Sequence, residues 1–195
     1  MGSQKSTQTV AQVLRVMVSI TFGCNLLVLP FVPVLVSLKG YGMPLSEVIG
    51  LAIGTPSERD LFAPEITLFF LLIGRWIENF DYSLVLCLFL LFCGVCTAVI
   101  LWQARRVLDT ILAGDTFTKA NAQNMCRAAV CCFLIAGAAL CRMVWGFFYY
   151  KSSAPLLTYN ALFIPLFFMG GLLCMVMSAL FRQAAALKDE NDLTI

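Results

Sequence analysis

Long apolar runs separated by short charged clusters organise this chain. Between Arg15 and Lys39 lie 23 residues with no charge, and another 23 separate Asp81 from Arg105. Residues 128–150 carry one charge, Arg142, and residues 152–181 carry none. A helix needs about 20 mainly apolar residues to cross roughly 30 Å of hydrocarbon, so each run predicts a span. The expected spans cover about 13–38, 82–104, 128–150 and 160–181. The fold class that follows is an all-α membrane protein with four transmembrane helices. The first run exceeds the ~7–15 residues of a signal-peptide core and ends at no small-residue cleavage site, so it is read as a retained span.

Punctuation within and between the runs refines this picture. Pro30 and Pro33 predict a bend late in the first helix, because an interior proline removes a backbone hydrogen bond and clashes with the preceding turn. An outer segment, 39–81, holds Pro44, Pro56 and Pro64 around two apolar runs, Val48–Ile53 and Ile66–Ile73, too short to span. It is expected to form short helices on the outer surface, with a re-entrant Ile66–Ile73 as the alternative. The second helix should continue beyond the membrane to Ala113 on the apolar stripe Leu108, Ile111 and Leu112, stopping at Gly114. Thr118 is placed to cap the helix that leads into the third span. An inner connector, 105–127, and an inner tail, 182–195, complete a single integral-membrane domain. Small residues at four-residue spacing, Ala128, Cys132 and Ala136 on span three and Gly170, Cys174 and Ser178 on span four, mark expected helix contacts.

At 61% hydrophobic and 12% charged, the chain leaves no length for a separate soluble domain. Charge placement then orients it. One side carries Lys5, Arg15, Arg105, Arg106, Lys119, Arg127, Arg182 and Lys188; the other carries Lys39, Arg59, Arg75 and Lys151 with six acids. The richer side is expected to be cytoplasmic, so both termini lie inside and the protein resides in the plasma membrane. None of the nine cysteines falls in an outer loop, so nothing reads as an extracytoplasmic disulfide framework.

Candidate chemistry is sparse. The chain has no histidine, the commonest metal ligand and general base, and none of the phosphate-loop, dinucleotide or zinc-protease motifs. No enzyme activity, cofactor or metal is expected. Cys93-Gly-Val-Cys96 has the spacing of a redox pair, yet it lies mid-span away from water, where two thiols serve as small buried hydrophobes. Arg142 is the costly residue, since a charge within a span needs a polar interior or a partner. It stands eight residues before Tyr150, about 12 Å along the helix, near expected partners Glu78, Asp81 or Asn160. Asn25 is a second intramembrane polar group expected to need an interhelical partner. Arg105, Arg106, Lys119 and Arg127 are too scattered for direct nucleic-acid binding and instead enforce topology and meet anionic lipid.

Two inner segments carry a resemblance. Leu108-Asp-Thr-Ile-Leu-Ala-Gly-Asp-Thr-Phe-Thr-Lys-Ala-Asn121, followed by Arg127, resembles the middle motif of the bacterial domain-of-unknown-function 2975 membrane proteins. Leu180-Phe-Arg-Gln-Ala-Ala-Ala-Leu-Lys-Asp-Glu-Asn-Asp-Leu-Thr-Ile195 is similar to that family's closing motif. The resemblance implies a small bacterial four-span protein, often encoded beside a short helix-turn-helix repressor, and no established biochemical activity. It points by association to a non-enzymatic regulatory or sensory partner acting through its cytoplasmic face on such a DNA-binding protein. The candidate contact surface comprises Asp109, Asp115, Phe117, Asn121, Lys188, Glu190, Asn191, Asp192, Leu193 and Ile195. The runner-up is a small transporter or channel-like component using the Arg142 region, and the third is a membrane thiol oxidoreductase using Cys93 and Cys96.

Overall fold

Apolar runs fold into helices here because a helix satisfies every backbone polar group internally. The computed structural model describes residues 2–41, 80–151 and 159–192. Helix α1 covers Gly2–Val28, α2 Val32–Tyr41, α3 Phe80–Leu112, α4 Lys119–Tyr150 and α5 Tyr159–Asp192. Among the described residues, four helices are long and apolar enough to cross a membrane, over Gln8–Val36, Ser83–Leu112, Lys119–Tyr149 and Ala161–Asn191. The expected outer helices of residues 42–79, including Ile66–Ile73, lie outside the described residues.

Helix α1 begins well before Val13, at Gly2. The polar residues that open it need no lipid, and extending an existing helix costs far less than nucleating one. The two prolines act where expected. Leu29–Phe31 forms one turn of 3₁₀ helix with Pro30 in its first turn, and the Val32 N–H donates to Leu29 O to restart the α-helical path. Hydroxyls within the apolar helices satisfy themselves locally, with Thr21 donating to Met17 O at 2.9 Å and Thr97 to Cys93 O at 2.8 Å.

The chain divides into two compact units, residues 28–91 and residues 1–27 with 92–195. In the first, Val32 and Val36 of α2 bury against Leu86 and Cys87 of α3, with Leu91 packed alongside. In the second, α4 is the central element. A third of its spanning window is buried, against 11% for α5. Its buried face is made of small and β-branched residues: Ala128, Ala129, Cys132, Ile135, Ala136 and Ala139. Such a face lets backbones approach, which is how helices associate where lipid removes the hydrophobic drive between them. Large apolar side chains of α5, among them Leu172, Leu173 and Val176, stay exposed where lipid would cover them.

The α4–α5 contact uses Ser178 of the expected small-residue stripe, which donates to Ala122 O, but takes Gly171 in place of Gly170. Gly170, singled out in the sequence, has open space where a Cβ would stand. At Gly171 a Cβ would come within 2.9 Å of the Phe133 ring. That ring is fixed edge-on against Phe168, with centroids 5.5 Å apart, so α5 approaches α4 at Gly171.

Candidate functional site: the connector between α3 and α4

The tight turn after α3 follows from one glycine. Gly114 adopts φ +83, a left-handed conformation that costs glycine little and other residues more. Its N–H donates to Ile111 O at 3.1 Å, and the Asp115 N–H donates to Thr110 O at 3.1 Å. These two bonds form a Schellman motif, which satisfies carbonyls that a helix end otherwise leaves open. Four residues later Thr118 caps α4, its extended backbone allowing the side chain to accept from the Asn121 N–H at 3.2 Å. The connector is thus closed at both ends by local chemistry.

Asn121 locks its middle. The side chain is fully buried, and its amide nitrogen donates to Thr110 Oγ1 at 2.7 Å and to Thr116 O at 2.8 Å. The Thr110 hydroxyl also lies 2.9 Å from Asn121 Oδ1 and 2.7 Å from Val107 O. A hydroxyl has one proton to give, so it serves one of these two acceptors at a time. Asn121 therefore ties the last turn of α3 to the connector backbone and the first turn of α4. This corrects the expectation that Asn121 belongs to a contact surface. With no exposed area, it cannot touch a partner.

Helix α5 holds the connector from the side. Lys188 Nζ pairs with Asp115 Oδ1 at 2.9 Å, and Lys119 Nζ with Asp189 Oδ2 at 2.7 Å. The two pairs cross in sign, one cation from each partner, so they fix register as well as proximity. Asp189 holds the Lys119 ammonium above the ordinary lysine value of 10.5 through their hydrogen bond and charge attraction. Ser178 Oγ donates to Ala122 O at 2.7 Å, and the Phe117 and Phe181 rings stand 6.1 Å apart. On the α1 side, Arg15 Nε lies 2.6 Å from Asp109 Oδ1. That oxygen receives no aligned hydrogen bond, so the contact is an ion pair held by charge alone.

Much of the expected contact surface gathers here. Asp115 and Lys188 keep over half of their side-chain surface exposed although paired, and Phe117 is 50% exposed beside them. Asp109 is partly exposed beside Arg15. Glu190 and Asn191 are exposed near the end of α5. The side chain of Asp192, with Leu193 and Ile195, lies outside the described residues. The two ion pairs to α5 join residues 70 and 73 positions apart. The only sequence signal for them was an acid and a lysine near each other in both segments.

The other candidates stand apart from this cluster. Asn25 Oδ1 is buried without a hydrogen bond rather than partnered across helices, and Gln103 Oε1 is in the same state. Arg142 is partly buried, engaged rather than free, and within electrostatic reach of Cys93. Its expected partners Glu78, Asp81 and Asn160 have side chains outside the described residues. All nine cysteines are free thiols. The Cys96 thiol lies close to that of Cys131 on α4, and Cys132 close to Cys174 on α5, so these thiols pack between helices. No group of three or more acidic or cysteine side chains is arranged to hold a metal among the described residues.

The fold defines a class: a multi-pass helical membrane protein whose α3–α4 connector is locked by a buried asparagine and clamped by α5. The chain belongs to the family described as "Protein of unknown function (DUF2975)", which matches residues 5–195, essentially its whole length. No curated protein and no solved structure matches it.

Proposed function

We propose that this protein is a non-enzymatic regulatory partner in the bacterial plasma membrane that engages a small cytoplasmic helix-turn-helix protein. Contact is made through residues 115–119 and the adjoining 182–192 stretch of α5. The observation that carries this reading is Phe117. A half-exposed aromatic ring stands on a connector whose backbone is fixed by Gly114, Thr118 and Asn121. Rigid aromatic anchors on preorganised backbone concentrate binding energy, because little conformational freedom is lost on association. Asp115, two residues away, and its partner Lys188 supply charge close to it. The excess of cations on this side of the spans supports its cytoplasmic placement.

The test uses the full chain in lipid nanodiscs and a purified candidate helix-turn-helix partner. Binding should be saturable, and Phe117→Ala should weaken it by at least tenfold, the effect of truncating an anchor worth about 2 kcal/mol. Equal binding by the parent and Phe117→Ala overturns the assignment of the connector. No binding by the parent overturns the proposed function.

A further inference from the structure

The charges at the connector end fall into two groups. Three cations are neutralised within the protein: Arg15 by Asp109, Lys119 by Asp189 and Lys188 by Asp115. Four others, Arg105, Arg106, Arg127 and Arg182, make no ion pair with a carboxylate among the described residues. All four are arginines that border an apolar run directly. Arg105 and Arg106 follow the apolar run of α3, Arg127 precedes that of α4, and Arg182 follows that of α5. Arg106, Arg127 and Arg182 are exposed and Arg105 half-exposed. Most of the neutralised charges lie further from the apolar runs, on the connector and the end of α5.

Helix register brings three of the four to one height. Thr110 meets Asn121 across the antiparallel α3 and α4. Arg105 is five residues up α3 from that contact and Arg127 six up α4, about 7.5 and 9 Å at 1.5 Å per residue. A guanidinium at the end of an apolar run can snorkel to lipid phosphate. Its planar fork of donors matches a phosphate's paired oxygens better than a lysine ammonium does.

We propose that Arg105, Arg106 and Arg127 form a belt that selects anionic phospholipid, the phosphate oxygens and net negative charge of the headgroup being what it recognises. Asp109, Asp115 and Asp189 are paired with other cations and do not neutralise the belt. This reading is independent of any protein partner.

Trp102, 47% exposed one turn before Arg105 and Arg106, is a built-in reporter. A full-length variant with Trp76→Phe and Trp145→Phe is reconstituted in zwitterionic vesicles containing a minor fraction of brominated phosphatidylglycerol or brominated phosphatidylcholine. Quenching of Trp102 by the anionic lipid should exceed that by the zwitterionic lipid at equal fraction, and the excess should shrink as salt is raised. Relative affinity for the anionic lipid should fall about fivefold for each belt arginine changed to glutamine, the factor a basic side chain contributes at an anionic surface. Lys119→Gln and Lys188→Gln should leave it unchanged. Equal quenching by the two lipids overturns the proposal, and so does an equal loss from the paired-lysine variants. Abolition of the excess by millimolar inorganic phosphate at constant ionic strength also overturns it, assigning a free-anion site instead. The salt dependence is read on the arginine-intact protein, so a glutamine variant that fails to insert leaves that arm decisive.

Discussion

Replacing Asn121 with aspartate changes no shape and removes the two donors that close the connector. In the parent, the amide nitrogen serves Thr110 Oγ1 at 2.7 Å and Thr116 O at 2.8 Å from a fully buried position. A carboxylate oxygen in its place would face the Thr116 carbonyl, acceptor against acceptor. Two buried hydrogen bonds are worth about 0.5–1.5 kcal/mol each, and a carbonyl left unsatisfied costs about 1–3 kcal/mol more. We expect Asn121→Asp to be destabilised by roughly 3 kcal/mol at neutral pH. The pH dependence has a definite sign. Burial raises the new carboxyl above its unfolded value of about 3.9, so the folded state binds more protons and stability falls as pH rises above that value. The deficit should therefore be smallest near pH 4 and grow toward neutrality. Amide hydrogen exchange over residues 113–122, in detergent-solubilised full-length protein, reads the local effect directly. Exchange should accelerate by about a hundredfold at neutral pH, from ~1.4 kcal/mol per factor of ten. Parent-like protection in Asn121→Asp between pH 5 and 8 would refute the view that this side chain locks the connector.

Three further outcomes follow from the same geometry. Gly171→Leu should disrupt α4–α5 packing by about 1–3 kcal/mol through collision with the Phe133 ring, while Gly170→Leu should be tolerated; denaturant titration of both variants in micelles compares them directly. Gly114→Ala should cost about 1 kcal/mol in the same titration, because φ +83 is strained for any residue with a Cβ. The Lys119–Asp189 contribution should persist through neutral pH and fade only as pH rises through the raised lysine value, so melting curves of the parent and Asp189→Asn should converge only at pH above the ordinary lysine value of 10.5. A gap between those curves that is unchanged at high pH would mean that Asp189 acts through packing and not through the ammonium.

Features set by local chemistry were legible in the sequence. The charge-free runs announced four spanning helices because hydrocarbon excludes charge over a fixed length. Gly114 and Thr118 announced the end of α3 and the start of α4 because left-handed backbone and N-capping each favour few residue types. Pro30 marked the 3₁₀ turn for the same kind of reason. The site itself was visible as a stretch of chain but not as an arrangement. Asn121 looks like a surface residue in a polar connector, and only its docking on Thr110 reveals that it is interior. The crossed pairs Asp115–Lys188 and Lys119–Asp189 depend on how α5 lies against α4, which no local pattern encodes. The choice between Gly170 and Gly171 is a rotation of about 100° per residue, finer than a four-residue repeat can fix. The sequence also pointed to Arg142 and Asn25 as costly groups without indicating that Asn25 Oδ1 would stay unsatisfied.

The most direct measurement of the proposed function follows the partner in living cells. A candidate helix-turn-helix partner is fused to a fluorescent protein and imaged with parent, Phe117→Ala or no copy of the membrane protein. The account predicts a peripheral ring of fluorescence with the parent, and nucleoid fluorescence with Phe117→Ala at equal membrane abundance or with no copy. Nucleoid fluorescence in the presence of abundant parent protein, or a peripheral ring that survives Phe117→Ala, would contradict it.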